Sequence, residues 1–385
     1  MKKKKPPHHD LETIMPLLIE QWRRFRGISG PGNVLQTREF RSVVKAVREL
    51  QEHQFSKQTP SNDDYFSSQE HLAAYLLYYW VVHYQEALNL INELPNSPKR
   101  VLDVCSGPAP YAFAALRHGA TDVIATDRNL DALKQGAEIC GRYGHTLTIR
   151  RWDCLKEKCP VEDKFDLIIL SHGLAELFPD TTKGWKEEQS VFLSSLMNRL
   201  TPDGYLLLVD SSLLSHNHRI LSIRDQFVTE GVPVQAPCVW RGECPALKTK
   251  NSPCYAQREF EKPYLVSEIQ RGAKIFLSSL KMSYVIFSHP DSSWPNLPEG
   301  DYHRIISPPI DTHQGKSFYL CGTQGKKRIS SNLRVLPKKL RAFDYLKRGE
   351  LISVKEVIRE GKEYILRPES EIKIEAACGK PIPQA

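Results

Sequence analysis

The stretch "RVLDVCSGPAPYAFAALRHGATDVIATD", residues 100–127, sets the reading of the whole chain. Its first run, RVLDVC, is continuously apolar but for Asp103 and leads into a Gly/Pro turn. PYAFAALRHG then carries apolar residues at helical spacing, and DVIATD is a second apolar run ending on an acid. Strand, turn, helix and strand in that order make a βαβ unit with parallel strands. The alternation continues downstream. NLDALKQGAEICGRYG reads as a helix, LTIRRW and FDLIILS as strands, EQSVFLSSLMNRL as a helix, GYLLLVDS as a strand and HRILSIRDQFVTEG as a helix. Runs such as LIIL and LLLV lack the alternation of a half-wet strand, so the sheet is expected to be covered on both faces. The prediction is an α/β fold with a doubly wound parallel sheet.

Upstream, LETIMPLLIEQWRRF and TREFRSVVKAVRELQEHQF repeat apolar residues at three and four, as helices do. A single helix is expected over 67–94, opened by a capping box of Ser67 and Glu70. Downstream, PYLVSEIQRGAKIFLSSL reads as a helix and SYVIFS as a strand, and the remainder alternates like a small β-rich module. The expected division is a helical region at 1–95 and a ligand-binding domain at 96–290 with a cysteine loop at 236–260. A basic β-rich module follows at 291–385.

The chain has 385 residues, 41% hydrophobic and 25% charged, with a formal charge of +8. That is a globular composition rather than a disordered one. Its longest apolar run, 72–84, is too short to span a bilayer and reads as a buried helix. MKKKK is followed by no secretory apolar core and no transit pattern, so a bacterial cytoplasm is expected, with the mitochondrial matrix the alternative. Nine cysteines in a reducing compartment are thiols or metal ligands. The lysines at 2–5 and the segment 325–350 hold much of the positive charge, a pattern that suits a phosphate-rich partner such as RNA.

A dinucleotide fingerprint would read G-x-G-x-x-G, but the turn here is C-S-G-P-A-P with Gly107 alone. A pyrophosphate clamp is disfavoured. Acids at three strand ends suit a different ligand. Asp127 is placed to accept from both ribose hydroxyls, Asp153 to meet an adenine amino group, and Asp103 to meet an ammonium group. With Cys105 and Gly107 in the turn and Ser171 at the end of the fourth strand, these form a candidate site for S-adenosylmethionine. The chemistry is less legible. The Asn/Asp-Pro-Pro-aromatic loop of base-amino methyltransferases is replaced by SHGLAELF (171–178), where His172 or Glu176 is a candidate base. No cysteine lies between 160 and 237 to act as a C5 nucleophile. The catalytic residues are unassigned.

Cys238, Cys244 and Cys254 follow C-x5-C-x9-C, each beside a proline. Structural zinc sites take paired C-x2-C knuckles, and no such pair exists here. Three thiolates in one loop with a fourth far away match iron–sulfur ligation better. Cys321 in YLCGTQG is the leading fourth ligand, beside two glycines that would let backbone approach a cluster. His289, His303 and His313 are weaker candidates, and zinc remains the alternative metal.

The run RILSIRDQF, then the P-C-x5-C-P-x9-C loop, then YLCGTQGKKRIS, set behind the acid-tipped sheet, resembles the mitoribosomal small-subunit methyltransferase-like family shared by mitochondria and bacteria. The likeness covers roughly residues 65–350. It implies a seven-stranded class I methyltransferase (Rossmann-like) sheet, S-adenosylmethionine, and a [4Fe–4S] cluster on Cys238, Cys244, Cys254 and Cys321. It further implies association with small-subunit rRNA during ribosome assembly. The cofactor loop would be Asp103 to Gly107, with Asp127 and Asp153. An rRNA-binding assembly factor is the leading expectation. An active rRNA methyltransferase and a zinc-containing RNA-binding protein are the alternatives. A monomer without DNA or membrane partners is expected.

Overall fold

A computed structural model describes residues 11–55, 66, 68–249, 251–313 and 315–385. The Lys2–Lys5 run, the polar stretch at 56–64 and Ser67 lie outside them. The chain divides into two units, one made of Met1–Ile91, Ser97–Ser195 and Glu259–Leu280, the other of Asn92–Asn96, Leu196–Arg258 and Lys281–Ala385.

The first unit begins with helices α1 (Leu11–Arg26), α2 (Thr37–Phe55), α3 (Gln69–Leu77) and α4 (Tyr79–Ile91). The single helix expected over 67–94 is thus two. Ser68 is the cap of α3, accepting from His71 N. At Tyr78 the backbone leaves the helical region (φ −126°, ψ −70°) and its N–H bonds back to Tyr75 O, a tightened turn. The Tyr78 hydroxyl is taken by Gln270 Nε2 at 3.2 Å. This joins the bend to the helix Tyr264–Ala273, which returns to this unit.

Strands β1 (Arg100–Val104), β2 (Asp122–Asp127), β3 (Thr148–Arg151) and β4 (Phe165–Ser171) run parallel in the order β3-β2-β1-β4. Helix α5 (Pro110–Arg117) links the first two and α6 (Leu130–Arg142) the next, and α7 (Leu174–Leu177) and α8 (Trp185–Met197) follow β4. Val101, Leu102, Val104 and Leu167 to Leu170 are all fully buried, as the continuous apolar runs require. Trp80 of α4 stacks on Tyr84 and packs on Phe113 of α5, while its indole N–H donates to Pro108 O at 3.0 Å. One aromatic side chain thereby fixes both the helix pair and the turn after β1.

In the second unit β5 (Leu200–Ser211), α9 (Leu214–Thr229), β6 (Val234–Ala236), β7 (Ala256–Arg258) and β8 (Leu280–Ser288) follow. Their order is β5-β8-β6, with β7 also on β8. Here the structure departs from an all-parallel expectation. β8 is antiparallel to β5, from Tyr205 opposite Ser288 to Ser211 opposite Met282. The segment read as one helix, 263–280, is a helix only to Ala273, and its final Leu280 already starts β8. With β7 there are eight strands among the described residues before 290 rather than seven.

The β-rich remainder is a second eight-stranded sheet. It comprises β9 (Tyr302–Ile305), β10 (Ile310–Thr312), β11 (Gly315–Gly322), β12 (Gly325–Ser330), β13 (Leu351–Lys355), β14 (Ile358–Glu360), β15 (Glu363–Ile365) and β16 (Glu371–Ala376). The order is β14-β15-β12-β11-β9-β13-β16, with β10 on β11. Phe318, Leu320, Ile329, Ile352 and Tyr364 form its core, covered by Leu340 and Phe343 from a 3-10 helix at Lys338–Tyr345.

Candidate functional site

In the first unit the turn after β1 places Cys105, Gly107 and Ala109 in the left-handed region, at φ of 54°, 52° and 57°. Only Gly107 takes this without strain, and a Cβ there would also meet the Phe66 ring at 2.9 Å. The turned amides have a definite acceptor. Gly107 N donates to Asp127 Oδ2 at 2.8 Å, and Asn129 N donates to Asp127 Oδ1 at 2.8 Å. Asp127 therefore braces the turn from the end of β2.

Asp103 is fully buried. Its Oδ2 accepts from Ala112 N at 2.9 Å, at the start of α5. Its Oδ1 has no hydrogen-bond partner among the described residues. Burial, with the nearby Asp127 charge adding to it and the Ala112 N–H opposing it, raises the Asp103 carboxyl to about 8. An orphaned buried carboxyl oxygen is costly unless a cation or donor comes to it, which suits an ammonium group. Cys105 Sγ lies 3.8 Å from Cys154 Sγ, which directly follows Asp153. The Cys154 thiol and burial together push the Cys105 thiol well up. A Cβ on Gly173, just past Ser171, would stand 3.5 Å from Cys105 Cβ. The structure thus gathers Asp103, Cys105, Gly107, Asp127 and the end of β4 at the carboxyl edge of the parallel strands. Asp153, after β3, is partly buried and pairs with Lys156 at 3.2 Å.

Past β4, His172 sits at φ +55° and shares a contact that the sequence reading missed. Its Nε2 and His83 Nδ1 lie 2.9 Å and 2.8 Å from the same oxygen, Glu86 Oε2. Burial would raise the Glu86 carboxyl, but His172 and His83 outweigh it and hold it at about 2. The signal was present as H-x-x-E at 83–86, a helical spacing that puts both side chains on one face. It lay inside a run read as core.

In the second unit Cys238, Cys244, Cys254 and Cys321 line one cavity of about 60 Å³, with Arg224, Trp240, Tyr255 and Arg304. The loop between β6 and β7 supplies three of these thiols and β11 the fourth. Each end of the loop is held by side chains of α9 and β9. Asn217 Nδ2 donates to Cys254 O at 2.8 Å, and Cys254 N donates to Asn217 Oδ1 at 3.1 Å. Cys244 N donates to Asp225 Oδ2 at 2.8 Å. Arg224 donates to the carbonyls of Trp240 and Gly242, and Arg304 Nε to Pro237 O at 3.0 Å. Burial, with mutual repulsion of the sulfurs added, raises Cys244 to about 11 and Cys254 to about 12, and pushes the Cys321 thiol well up. All four are free thiols.

The other proposed fourth ligands are placed elsewhere. His303 is fully buried with Nε2 2.8 Å from Asp301 Oδ1, His289 lies 3.7 Å from Asp291, and His313 is exposed on the surface. Gly322 makes room for β9: a Cβ there would lie 2.1 Å from His303 Nδ1 and 2.4 Å from Tyr302 O, so its smallness serves strand packing.

A ribosomal protein L11 methyltransferase of Lactobacillus gasseri is 32% identical over 129 residues, which is 32% of this chain and 38% of that relative's length. Among solved structures, the N-methyltransferase NodS of Bradyrhizobium japonicum bound to S-adenosyl-L-homocysteine superposes with a TM-score of 0.37 at 11% identity, over 64% of this chain and 99% of that one. The L11 methylase of Lactobacillus delbrueckii subsp. bulgaricus gives 0.32 at 14%, over 54% and 78%. The fold is that of the class I methyltransferases, an assignment that rests on the strand order β3-β2-β1-β4 with an antiparallel strand after β5. The family model described as mitochondrial small ribosomal subunit Rsm22 matches residues 70–339, a span that holds the turn after β1 and all four cavity cysteines, and the chain belongs to that family.

Proposed function

We propose that this protein is an rRNA-binding assembly and maturation factor of the ribosomal small subunit, built on an S-adenosylmethionine methyltransferase scaffold and carrying a structural [4Fe–4S] cluster. The observation that carries the reading is the four-cysteine cavity formed by a loop and a distant strand of one unit. Buried thiols whose ionisation is this costly become thiolates when a metal takes the place of their protons. Their spacing favours a cluster. A tetrahedral zinc with bonds of about 2.3 Å holds its sulfurs about 3.8 Å apart. Among the described residues, no three of these sulfurs come within 4.8 Å of one another. A cubane with iron at alternate corners takes thiolates set wider.

Joined in this way, the cysteines would tie their loop to β11 and so to the basic surface that follows. Lys326, Lys327 and Arg328 lie on β12, and Arg334, Lys338, Lys339 and Arg341 are exposed beyond it, with Tyr345 76% exposed among them. Cations interleaved with an open aromatic suit phosphate contact and base stacking. Asp103 would hold the ammonium group of the cofactor, Asp127 its ribose and Asp153 its adenine, with Cys105, Gly107 and Ser171 around it. The family's name points to small-subunit association, and we place the protein in a bacterial cytoplasm, with the mitochondrial matrix as alternative, as a monomer that binds no DNA. No helix among the described residues is long and apolar enough to cross a membrane.

Replacing Cys254 by Ser is expected to abolish the brown colour and visible absorbance of anaerobically purified protein and to weaken binding to small-subunit RNA. A colourless, folded variant with full RNA affinity would defeat the structural role, and stoichiometric zinc in place of iron would defeat the cluster. A second reading, active methyl transfer to rRNA, is favoured by the orphaned Asp103 Oδ1. It predicts incorporation of labelled methyl groups into small-subunit precursors, lost in Asp127→Ala.

A further inference from the structure

His83, Glu86 and His172 bring a different chemistry together inside the first unit. His83 and Glu86 stand one turn apart on α4, and His172 follows β4. Their donor atoms, His83 Nδ1, a Glu86 carboxylate oxygen and His172 Nε2, all fall within 4.8 Å of one another. The imidazole rings are 4.1 Å apart between centroids and inclined at 42°. The side chains of His83 and Glu86 are 9% and 5% exposed, and that of His172 is 23% exposed. Tyr111, from α5, adds a hydroxyl 3.4 Å from Glu86 Oε2.

The plainer account is a buried carboxylate that satisfies two core histidines. It leaves two things unexplained. One carboxylate oxygen receives both imidazoles and the phenol, a convergence that pairwise satisfaction does not call for. And His172 reaches it from a left-handed backbone, a conformation that non-glycine residues adopt where a specific placement compensates the strain.

We propose that His83, Glu86 and His172 form a binding site for a divalent transition metal ion of the zinc type. Two imidazoles and a carboxylate are a known three-ligand set for such ions, with a further position left for water or another ligand. The donor types decide the class. Imidazole suits zinc, iron(II), cobalt and nickel, whereas magnesium and calcium take oxygen donors. Bonds of about 2.0–2.2 Å in a tetrahedral arrangement separate donors by about 3.3–3.5 Å. The observed 2.8 Å and 2.9 Å separations then widen by about half an ångström. On coordination each imidazole presents the lone pair of the nitrogen that faces Glu86 and carries its proton on the other ring nitrogen. Tyr111 stays as the outer partner of Glu86. The site shares no ligand with the cysteine cavity and stands independently of the rRNA reading.

The test is equilibrium dialysis of the metal-stripped full chain against Zn2+ and, separately, Co2+ at micromolar free concentration. Compared with the wild type, Cys254→Ser keeps this one bound ion, His172→Ala loses it, and Tyr111→Phe binds it about tenfold more weakly. His172→Cys covers the case in which His172→Ala does not fold. It restores a donor and, in the Cys254→Ser background, adds a new thiolate-to-cobalt charge-transfer band beyond the absorbance of the remaining cysteines. Equal Zn2+ uptake by wild type and a folded His172→Ala overturns the site. So does a His172→Cys spectrum without the new band, or a wild-type chain that retains no ion outside the cysteines.

Discussion

At the scale of single residues, Asp103 is a buried acid whose ionisation is costly in the first unit. Its carboxyl rises from an ordinary value of about 3.9 to about 8, because burial favours the neutral acid and Asp127 adds its charge. A group raised in this way lends stability that is complete below the unfolded value and is lost as pH climbs through the folded one. Between pH 4 and 8 the cofactor-free chain therefore loses stability, by an amount on the order of a few kcal/mol. Asp103→Asn should flatten that slope, so that in denaturant unfolding the variant gains on the wild type as pH rises. Equal slopes for the two proteins would mean that Asp103 is ionised in the folded chain. Cofactor affinity should move the other way, falling in the variant, because an amide offers the ammonium group no charge. The sequence showed Asp103 as an acid at a strand end. It did not show that one oxygen has no partner, since that depends on α5 closing over it.

At the scale of elements, the second unit contains a buried ion pair that joins segments far apart in the chain. Arg258 of β7 donates to Glu93, from the short segment 92–96, and the Tyr284 hydroxyl of β8 donates to the other oxygen of Glu93. The Arg258 and Glu93 side chains are 2% and 1% exposed. Removing one charge leaves the other buried without compensation, at a cost of about 3–5 kcal/mol. Glu93→Gln should lower the unfolding free energy by that amount, read by urea titration with the tryptophans of this unit as probe. The double change Glu93→Leu with Arg258→Met should recover most of it. A Glu93→Gln chain as stable as wild type would show that the pair is not desolvated. Nothing in NELPNS at 92–97 suggested this partner, because the pairing is set by how β7 returns onto β8 and not by any local pattern.

At the scale of the whole molecule, residues 100–230 were the most legible. Their strands are unbroken apolar runs and their helices keep one spacing, so local pattern and tertiary placement agree. Cys238, Cys244, Cys254 and Cys321 could be grouped from residue type, and the structure lines one cavity with them. The antiparallel sense of β8, the break at Tyr78 and the His83–Glu86–His172 group were not legible. Each is fixed by a contact from another part of the chain, and inside hydrophobic runs such as 79–91 a functional side chain looks like core. The division into units was equally hidden, since each draws on three separate segments. That interleaving bears on how the protein is made. A ribosome adds about 5–20 residues per second, so several seconds separate the appearance of Cys254 from that of Cys321. The first unit likewise waits for the segment ending at Leu280. Throughout that interval three thiols have no fourth wall to their cavity. A group held by all four thiols could be taken up only once β11 has been synthesised, and until then the three earlier thiols need shelter from oxidants.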